Sequence, residues 1–484
     1  MKTIFERPTS DGASSFFPHA DAPRPGGEYT IDRELLREFP PRIPTVSEPI
    51  VARHYTELSK ANFGVDDGFY PLGSCTMKYN PKINEAVAAL PGFTDLHPLT
   101  DAASAQGILG LLFELTDLLS RMAGMPAVSL QPVAGAHGEL TGMLLFKRYF
   151  EERGEPERSR VLLPDSAHGT NPASAAAAGF STTEIPSDER GMVDVDALLA
   201  ALDETIAGIM LTVPNTLGIF EERILEITEA VHTAGGLCYF DGANLNAFLG
   251  RARPGDMGAD VFHFNLHKTL STPHGGGGPG SGPIAVSEPL GEYLPAPRIV
   301  FDGGEYRLDW DHPRSIGAVH SFYGNVLVAV KAYVYLLRLG DEGLREVGEN
   351  AVLNANYLQA RLKGLFDLPY DGTCKHEFVL SAQGLPNEIS ALDVAKRLID
   401  FGVHPPTVYF PLIVREALMI EPTETEGKAS LDAFVDRMER IAAEAGSDPE
   451  LLRSAPHHAQ VRRLDQTRAA RDLVLTHRIE APKT

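Results

Sequence analysis

Apolar positions divide the chain into recognisable elements. Over residues 107–123 (GILGLLFELTDLLSRMA) they recur at helical spacing, which predicts an amphipathic helix. Residues 127–130 form a short apolar run that stops at a Pro/Gly loop. Apolar runs of strand length follow at 160–163 (RVLL), 206–213 (IAGIMLTV) and 237–240 (LCYF). Between the last two, residues 222–234 (ERILEITEAVHTA) read as a helix. Strands that are apolar throughout and alternate with helices predict a mainly parallel sheet covered on both faces. Ligands on such sheets sit beyond the carboxyl ends of the strands. Residues 318–339 read as a long, mostly buried helix ended by Gly340 and leading to a smaller C-terminal α/β domain.

The two ends of the chain differ from this pattern. Residues 1–60 are rich in Pro and charge, and the stretches 24–27 (RPGG) and 39–44 (FPPRIP) cannot continue a helix. This part reads as an extended arm with little core of its own, suited to wrapping a neighbouring domain or subunit. The last thirty or so residues are polar, with Arg462, Arg463, Arg468 and Arg471. The expected organisation is therefore an arm over 1–60, a large domain over 61–325, and a small α/β domain with a polar tail over 326–484.

Composition narrows the function classes. A hydrophobic fraction of 43% and a charged fraction of 22% fit a soluble globular enzyme. With 65 acidic and 43 basic residues the net charge is −22, which argues against nucleic acid or an anionic membrane as partner. Cys75, Cys238 and Cys374 are too few and too scattered for a disulfide framework. Neither a secretory apolar segment near the start nor a run of ~20 apolar residues is present, so a cytoplasmic location is expected.

Candidate chemistry lies after the predicted strands. In FHFNLHKTLSTPHGGGGPGSGP (262–283), Lys268 follows His267 and precedes a run of glycines. A free lysine, with a pKa of ~10.4, is a poor nucleophile at neutral pH. Held as an imine to pyridoxal phosphate (PLP), it is ready for exchange with an amino substrate. Adjacent glycines let backbone approach a cofactor closely. The bland alternative is a surface lysine beside a flexible loop. Asp241, in YFDGAN, ends a buried strand and could pair with a pyridine nitrogen, with Ala243 packing under the ring. It could equally be an ordinary strand-end Asp capping the next helix. Gly135, Ala136, His137 and Gly138 (in PVAGAHGE) open a helix and could cradle a phosphate through free amides. In SAHGTNPAS (166–174), His168 could stack on a pyridine ring, and Thr170 and Asn171 could hydrogen-bond its substituents, though a satisfied loop histidine is also open. Asn215, in TVPNTLG, could approach the cofactor's 3-oxygen. His263, His267 and His274 cluster in sequence but match no standard zinc spacing, so no metal is expected.

These stretches, together with PLGSCTMKYNP, DGANLNAFLG, RPGDMGADVF and RRLDQTRAAR, resemble the P-protein family, the glycine decarboxylases of the glycine cleavage system, over nearly the whole chain. In some members the two homologous halves are one chain, in others separate subunits. A chain of this length carrying the lysine resembles the second half. The resemblance implies an aspartate aminotransferase-like type I PLP fold. It implies Lys268 as the Schiff-base lysine, Asp241 facing the pyridine nitrogen, and His168 stacked on the ring. It further implies glycine as substrate and transfer of the aminomethyl group to a lipoylated H-protein. The implied partner is a homologous first subunit, in a heterotetramer with two copies of each. PLGSCTMKYNP could line a channel for the lipoyl arm or be purely structural. No arginine stands out as a carboxylate binder. Another PLP-dependent decarboxylase or lyase, or a non-catalytic subunit, remains open at this point.

Overall fold

The computed structural model describes residues 2–7, 32–37, 44–273 and 278–475. Its backbone separates into two compact units, one of residues 65–456 and one of residues 1–64 with 457–484. In the second of these, Glu48–Lys60 is a helix rather than extended arm, started by Pro49 in its first turn. Arg7 joins it by an ion pair to Glu57. The stretches 24–27 and 39–43 lie outside the described residues.

The large unit is built on a seven-stranded sheet. Its strands are β1 (Ala127–Ser129), β2 (Arg160–Pro164), β3 (Ser181–Ile185), β4 (Ile206–Thr212), β5 (Leu237–Gly242), β6 (Val261–Phe264) and β7 (Ile284–Val286). Their order is β1-β7-β6-β5-β4-β2-β3. The pairs from β6 to β3 are parallel, whereas β7 runs antiparallel to both β6 and β1. Buried side chains alternate between the faces. Cys238 and Phe240 join a core with helices Gln106–Ala123 and Ile224–Thr233, while Leu237 and Tyr239 join one with helix Gly135–Arg153. Both faces are thus covered, which explains why the strands read as apolar throughout.

A hairpin, β8 (Arg298–Asp302) and β9 (Glu305–Asp309), follows the sheet. The long helix begins later than its apolar pattern suggests, at Val326, because the chain bends through Gly324 at φ 67°. It breaks at Gly340, where φ is 59° and ψ −173°, and then resumes to Leu362. Gly340 therefore interrupts the helix without ending it. A three-stranded antiparallel sheet follows, of β10 (Phe378–Ser381), β11 (Thr407–Val408) and β12 (Ala417–Ile420), with β12 central. Phe378, Leu380, Leu418 and Ile420 bury against helices Ala391–Asp400 and Lys428–Ser447 through Val394, Leu398, Phe434 and Met438. Leu72 bridges to Ile420, so the PLGSCTMKYNP segment lies along this smaller sheet. Among the described residues no helix is long and apolar enough to cross a membrane.

One glycine ties the fold to the chemistry. Gly242 ends β5 directly after Asp241, and a Cβ there would lie 2.0 Å from the carbonyl oxygen of His263 on β6. Gly242→Ala is expected to spread the β5–β6 pair and cost about 1–3 kcal/mol of stability. Thermal unfolding measures the cost, and an unchanged midpoint would contradict the close approach.

Candidate active site

The carboxyl ends of β2, β4, β5 and β6 converge on Asp241. This carboxylate, 1% exposed, accepts from the Ala243 amide at 2.8 Å through Oδ1 and from Asn171 Nδ2 at 3.3 Å through Oδ2. His168 Nδ1 lies 3.2 Å from Oδ2, and His263 Nε2 lies 3.3 Å from Oδ1. Burial alone would push the Asp241 pKa up, but His263, His168 and the Lys268 ammonium together hold it well below the usual carboxylate range. The result is a buried carboxylate that stays ionised at neutral pH.

His168 is fixed at both nitrogens. Nδ1 faces Asp241, which places its proton there, and Nε2 lies 2.6 Å from Ser74 Oγ. Its ring runs nearly parallel to that of Phe410, at 9° and 5.7 Å between centroids. Lys268 stands in the turn after β6, its amide bonded to the Asn265 carbonyl. No described residue forms an ion pair or hydrogen bond with its ammonium. Helix Gly135–Arg153 points its N-terminus at the same turn, since a Cβ on Gly135 would lie 2.4 Å from Asn265 Oδ1. The amides of Gly135, Ala136 and His137 have no acceptor among the described residues, which makes an anion site with the helix dipole behind it. The Gly138 amide already donates to the Ala134 carbonyl, so Gly138 contributes closeness instead: a Cβ there would lie 2.8 Å from the Gly282 carbonyl oxygen.

Other candidates turn elsewhere. Asn215 spends its amide on backbone groups. Its Nδ2 donates to the Gly191 carbonyl at 2.7 Å, and its Oδ1 accepts from the Leu217 and Ile219 amides, so it builds the turn after β4. Thr170 donates to the buried Glu139 at 2.8 Å, as Ser174 does at 3.2 Å. His267 Nδ1 accepts the Ser281 amide. Ala243 is buried next to Asp241. His274, considered with His263 and His267, lies outside the described residues. All three cysteines are free.

The sequence singled out PLGSCTMKYNP (71–81) but not the two glutamates that hold it. Segment 73–76 carries two strained non-glycine residues, Ser74 at φ 63° and Thr76 at φ 47°. Two buried carboxyls hold it in place. Glu377 accepts the Ser74 amide at 2.7 Å, and Glu421 accepts the Thr76 amide at 2.9 Å and the Thr76 hydroxyl. Lys78, also buried, bonds Glu424 at 2.7 Å and the Thr269 carbonyl at 2.8 Å, one residue past Lys268. The available signals were the acidic residues flanking apolar strands, Glu377 before β10 and Glu421 after β12.

Buried polar atoms without a hydrogen-bond partner mark what the site could hold. Asn171 Oδ1, Asn244 Oδ1, Thr269 Oγ1, Thr272 Oγ1 and both His376 nitrogens are in this state, on the segments that carry Asp241, His168 and Lys268 or border them. An unpaired amine, a buried carboxylate, an imidazole and three free amides at a helix start fit an aldehyde, a pyridine nitrogen, an aromatic face and a phosphate. The residues present therefore fit PLP.

Comparison with known proteins agrees. A family model described as "Glycine dehydrogenase, C-terminal domain" matches residues 347–457. A protein of Caldanaerobacter subterraneus subsp. tengcongensis named as a glycine dehydrogenase (decarboxylating) subunit 2 is 56% identical over 473 residues, covering 98% of each chain. This chain belongs to the glycine dehydrogenase (decarboxylating) subunit 2 family. Another member, from Chloroherpeton thalassium, is 55% identical over 97% of this chain and 96% of its own. Among solved structures, an inhibitor-bound glycine decarboxylase (P-protein) of the glycine cleavage system superposes with a TM-score of 0.72 at 24% identity, covering 85% of this chain and 93% of that one. Glutamate decarboxylase of Lactobacillus brevis superposes with a TM-score of 0.65 at 14% identity, covering 85% and 95%. The family member described here thus has the type I PLP-dependent transferase fold, as the sequence pattern and resemblance led one to expect.

The charge of Asp241 makes a stability prediction. Its folded pKa is depressed, so the stabilisation is complete above the unfolded value of ~3.9 and is lost as pH falls through the folded pKa. Asp241→Asn should cost about 1–3 kcal/mol near neutral pH. The gap to wild type should narrow only below pH ~4. Denaturant titrations at several pH values measure this, and a gap that is constant into strong acid would remove the charge from the argument.

Proposed function

We propose that this chain decarboxylates glycine and passes the remaining aminomethyl group to the lipoyl arm of an H-protein, with PLP held on Lys268. The relatives' shared name supports the substrate and the reaction. The observation that carries the site is the meeting of an unpaired lysine amine, an ionised buried carboxylate and an open helix N-terminus at one edge of the sheet. Bound PLP supplies an electron sink for the pair left when the carboxylate departs as CO2. Asp241 would keep a proton on the ring nitrogen, and its ionisation at neutral pH suits that task. His168, oriented by Asp241 and Ser74, would stack on the ring. The amides of Gly135, Ala136 and His137 would hold the phosphate, and Gly138 keeps the helix close to the Gly282 backbone. Ala243 would pack under the ring, and Asn171 would offer it a buried oxygen that has no partner among the described residues. His267 holds the 280–281 backbone beside Lys268. Thr170 and Asn215 act indirectly, through Glu139 and through the 215–219 turn.

The relatives' subunit number supports a partner subunit. The assembly proposed is two copies of this chain with two of a homologous first subunit, in the cytoplasm, with residues 1–60 contributing to the interface. The same proposal keeps residues 61–325 as the cofactor domain and 326–484 as the small domain.

Borohydride reduction of the loaded protein should fix the cofactor to the peptide carrying Lys268, and Lys268→Ala should lose both fixation and turnover while staying folded. A label on another lysine would overturn the assignment. With the first subunit and a lipoylated carrier, the wild type should exchange CO2 into glycine.

Deleting residues 1–50 should weaken the subunit complex, which should bury more than the ~1,600 Å² of a standard interface. Analytical ultracentrifugation reads the loss, and activity should fall in proportion to dissociation. A truncated chain that still forms the complex at wild-type affinity contradicts a role for the arm.

A further inference from the structure

On the Oδ1 side of Asp241, a buried tyrosine and histidine form a chain of contacts whose hydrogen placement is still open. Tyr239 lies two residues before Asp241 on β5, and His263 sits opposite Asp241 across the β5–β6 pair. Tyr239 is 0% and His263 1% exposed. Room for the tyrosine ring comes from Gly142 in helix Gly135–Arg153, where a Cβ would lie 2.6 Å from that ring. The Tyr239 hydroxyl lies 2.5 Å from His263 Nδ1. At the other nitrogen, His263 Nε2 lies 3.3 Å from Asp241 Oδ1 and 2.8 Å from Asn265 Nδ2. Glu139, Lys268 and His168 also act on the imidazole. Burial holds its pKa below the usual histidine value, so the ring is neutral and carries one proton.

The hydroxyl decides which nitrogen carries that proton. Tyr239 has one O–H to donate, and its hydrogen-bonding neighbour among the described residues is His263 Nδ1. With the imidazole proton on Nδ1, the hydroxyl would only accept, and its own proton would be buried without an acceptor. A lone pair on Nε2 would then face the Asp241 carboxylate. With the proton on Nε2, the hydroxyl donates to Nδ1 and an N–H lies beside the carboxylate. That choice would set two donors against each other at Asn265, so the Asn265 amide turns over and presents its oxygen to Nε2. The two ends of an amide have nearly the same shape, and their hydrogen bonds choose between them.

We propose that Tyr239 is a positioning residue for the reaction: its hydroxyl fixes His263 in the Nε2–H tautomer, which keeps an N–H rather than a lone pair beside Asp241 Oδ1. The inference rests on the reading of Asp241 as the partner of the cofactor's ring nitrogen. In this arrangement both carboxylate oxygens face N–H groups. Oδ1 has the Ala243 amide and His263, and Oδ2 has His168 and Asn171. The hydrogen bond at one imidazole nitrogen sets what the other presents, and at this separation the contact with Asp241 changes sign with the tautomer. No proton moves in this device. The hydroxyl acts by orientation, at one remove from the carboxylate it protects.

Nitrogen-15 spectra of the histidine-labelled, cofactor-free chain read the tautomer, with His263 assigned by its loss in His263→Gln. The wild type should show Nε2 protonated and Nδ1 bare but hydrogen-bonded. A proton on Nδ1 overturns the proposal, and this measurement needs no folded Tyr239 variant. Tyr239→Phe keeps the ring and removes only the hydroxyl. Its loss of stability in denaturant should be smaller when Asp241 is already Asn, because the tautomer then matters less. Equal losses in the two backgrounds mean a purely structural tyrosine and overturn the proposal. In the PLP-loaded protein with the first subunit and a lipoylated carrier, Tyr239→Phe should slow exchange of CO2 into glycine by roughly tenfold, with glycine half-saturation unchanged. Exchange at the wild-type rate, or a change in half-saturation alone, overturns the positioning role. A wild type that shows no exchange refutes the proposed reaction instead and leaves the two cofactor-free measurements to decide the tautomer.

Discussion

The burial of one carboxylate organises this site. Asp241 leaves water at the end of a strand paired on both sides, and that desolvation is tolerable only with charge and hydrogen bonds around it. His168, His263, Asn171 and the Ala243 amide supply them. They come from three strands or the segments after them, His168 and Asn171 both following β2, so satisfying the carboxylate also sets their mutual geometry. The imidazole is oriented as a consequence, and Gly242 must be a glycine so that β6 can bring His263 close enough.

A second set of buried charges connects the small sheet to the same place. Glu377 and Glu421 reach from the ends of β10 and β12 to the strained residues Ser74 and Thr76, and Ser74 in turn touches His168. Lys78 ties the same segment to the backbone beside Lys268. Strain at two non-glycine residues costs about 1–3 kcal/mol each and persists only where the surroundings hold it. Here the surroundings are the carboxyls themselves, which makes the segment a rigid link between the small sheet and the imidazole.

Legibility differed by residue. Lys268 and Asp241 stood out because each is a polar residue at the end of an apolar strand, and the topology of parallel sheets sends such residues to one edge. The helix starting at Gly135 was equally readable from its small residues. Asn215 and Thr170 carried the same local signals, yet Asn215 spends its amide on its own turn and Thr170 is held by Glu139. A sequence shows that an amide or hydroxyl is available near a site, but not which backbone group captures it first. The long helix shows the same limit: its apolar pattern begins before Val326, but the bend at Gly324 delays the helix, and Gly340 interrupts it without stopping it.

What the sequence determined by itself was whatever depends on neighbours along the chain: strand and helix periodicity, the parallel class of the sheet, the lysine with its flanking motif, and through that motif the family. These follow from spacing and local chemistry, which a linear string preserves. Only the tertiary structure decided which distant groups meet. Glu377 and Glu421 are 44 positions apart, more than 100 from Lys268, and more than 300 from the segment they hold. Their place beside short apolar strands is a local signal that does not by itself separate them from surface glutamates. They become buried and crowded because strand pairing in the small sheet places their ends side by side, and the energy of a charge depends on its surroundings in space rather than on its position in the chain.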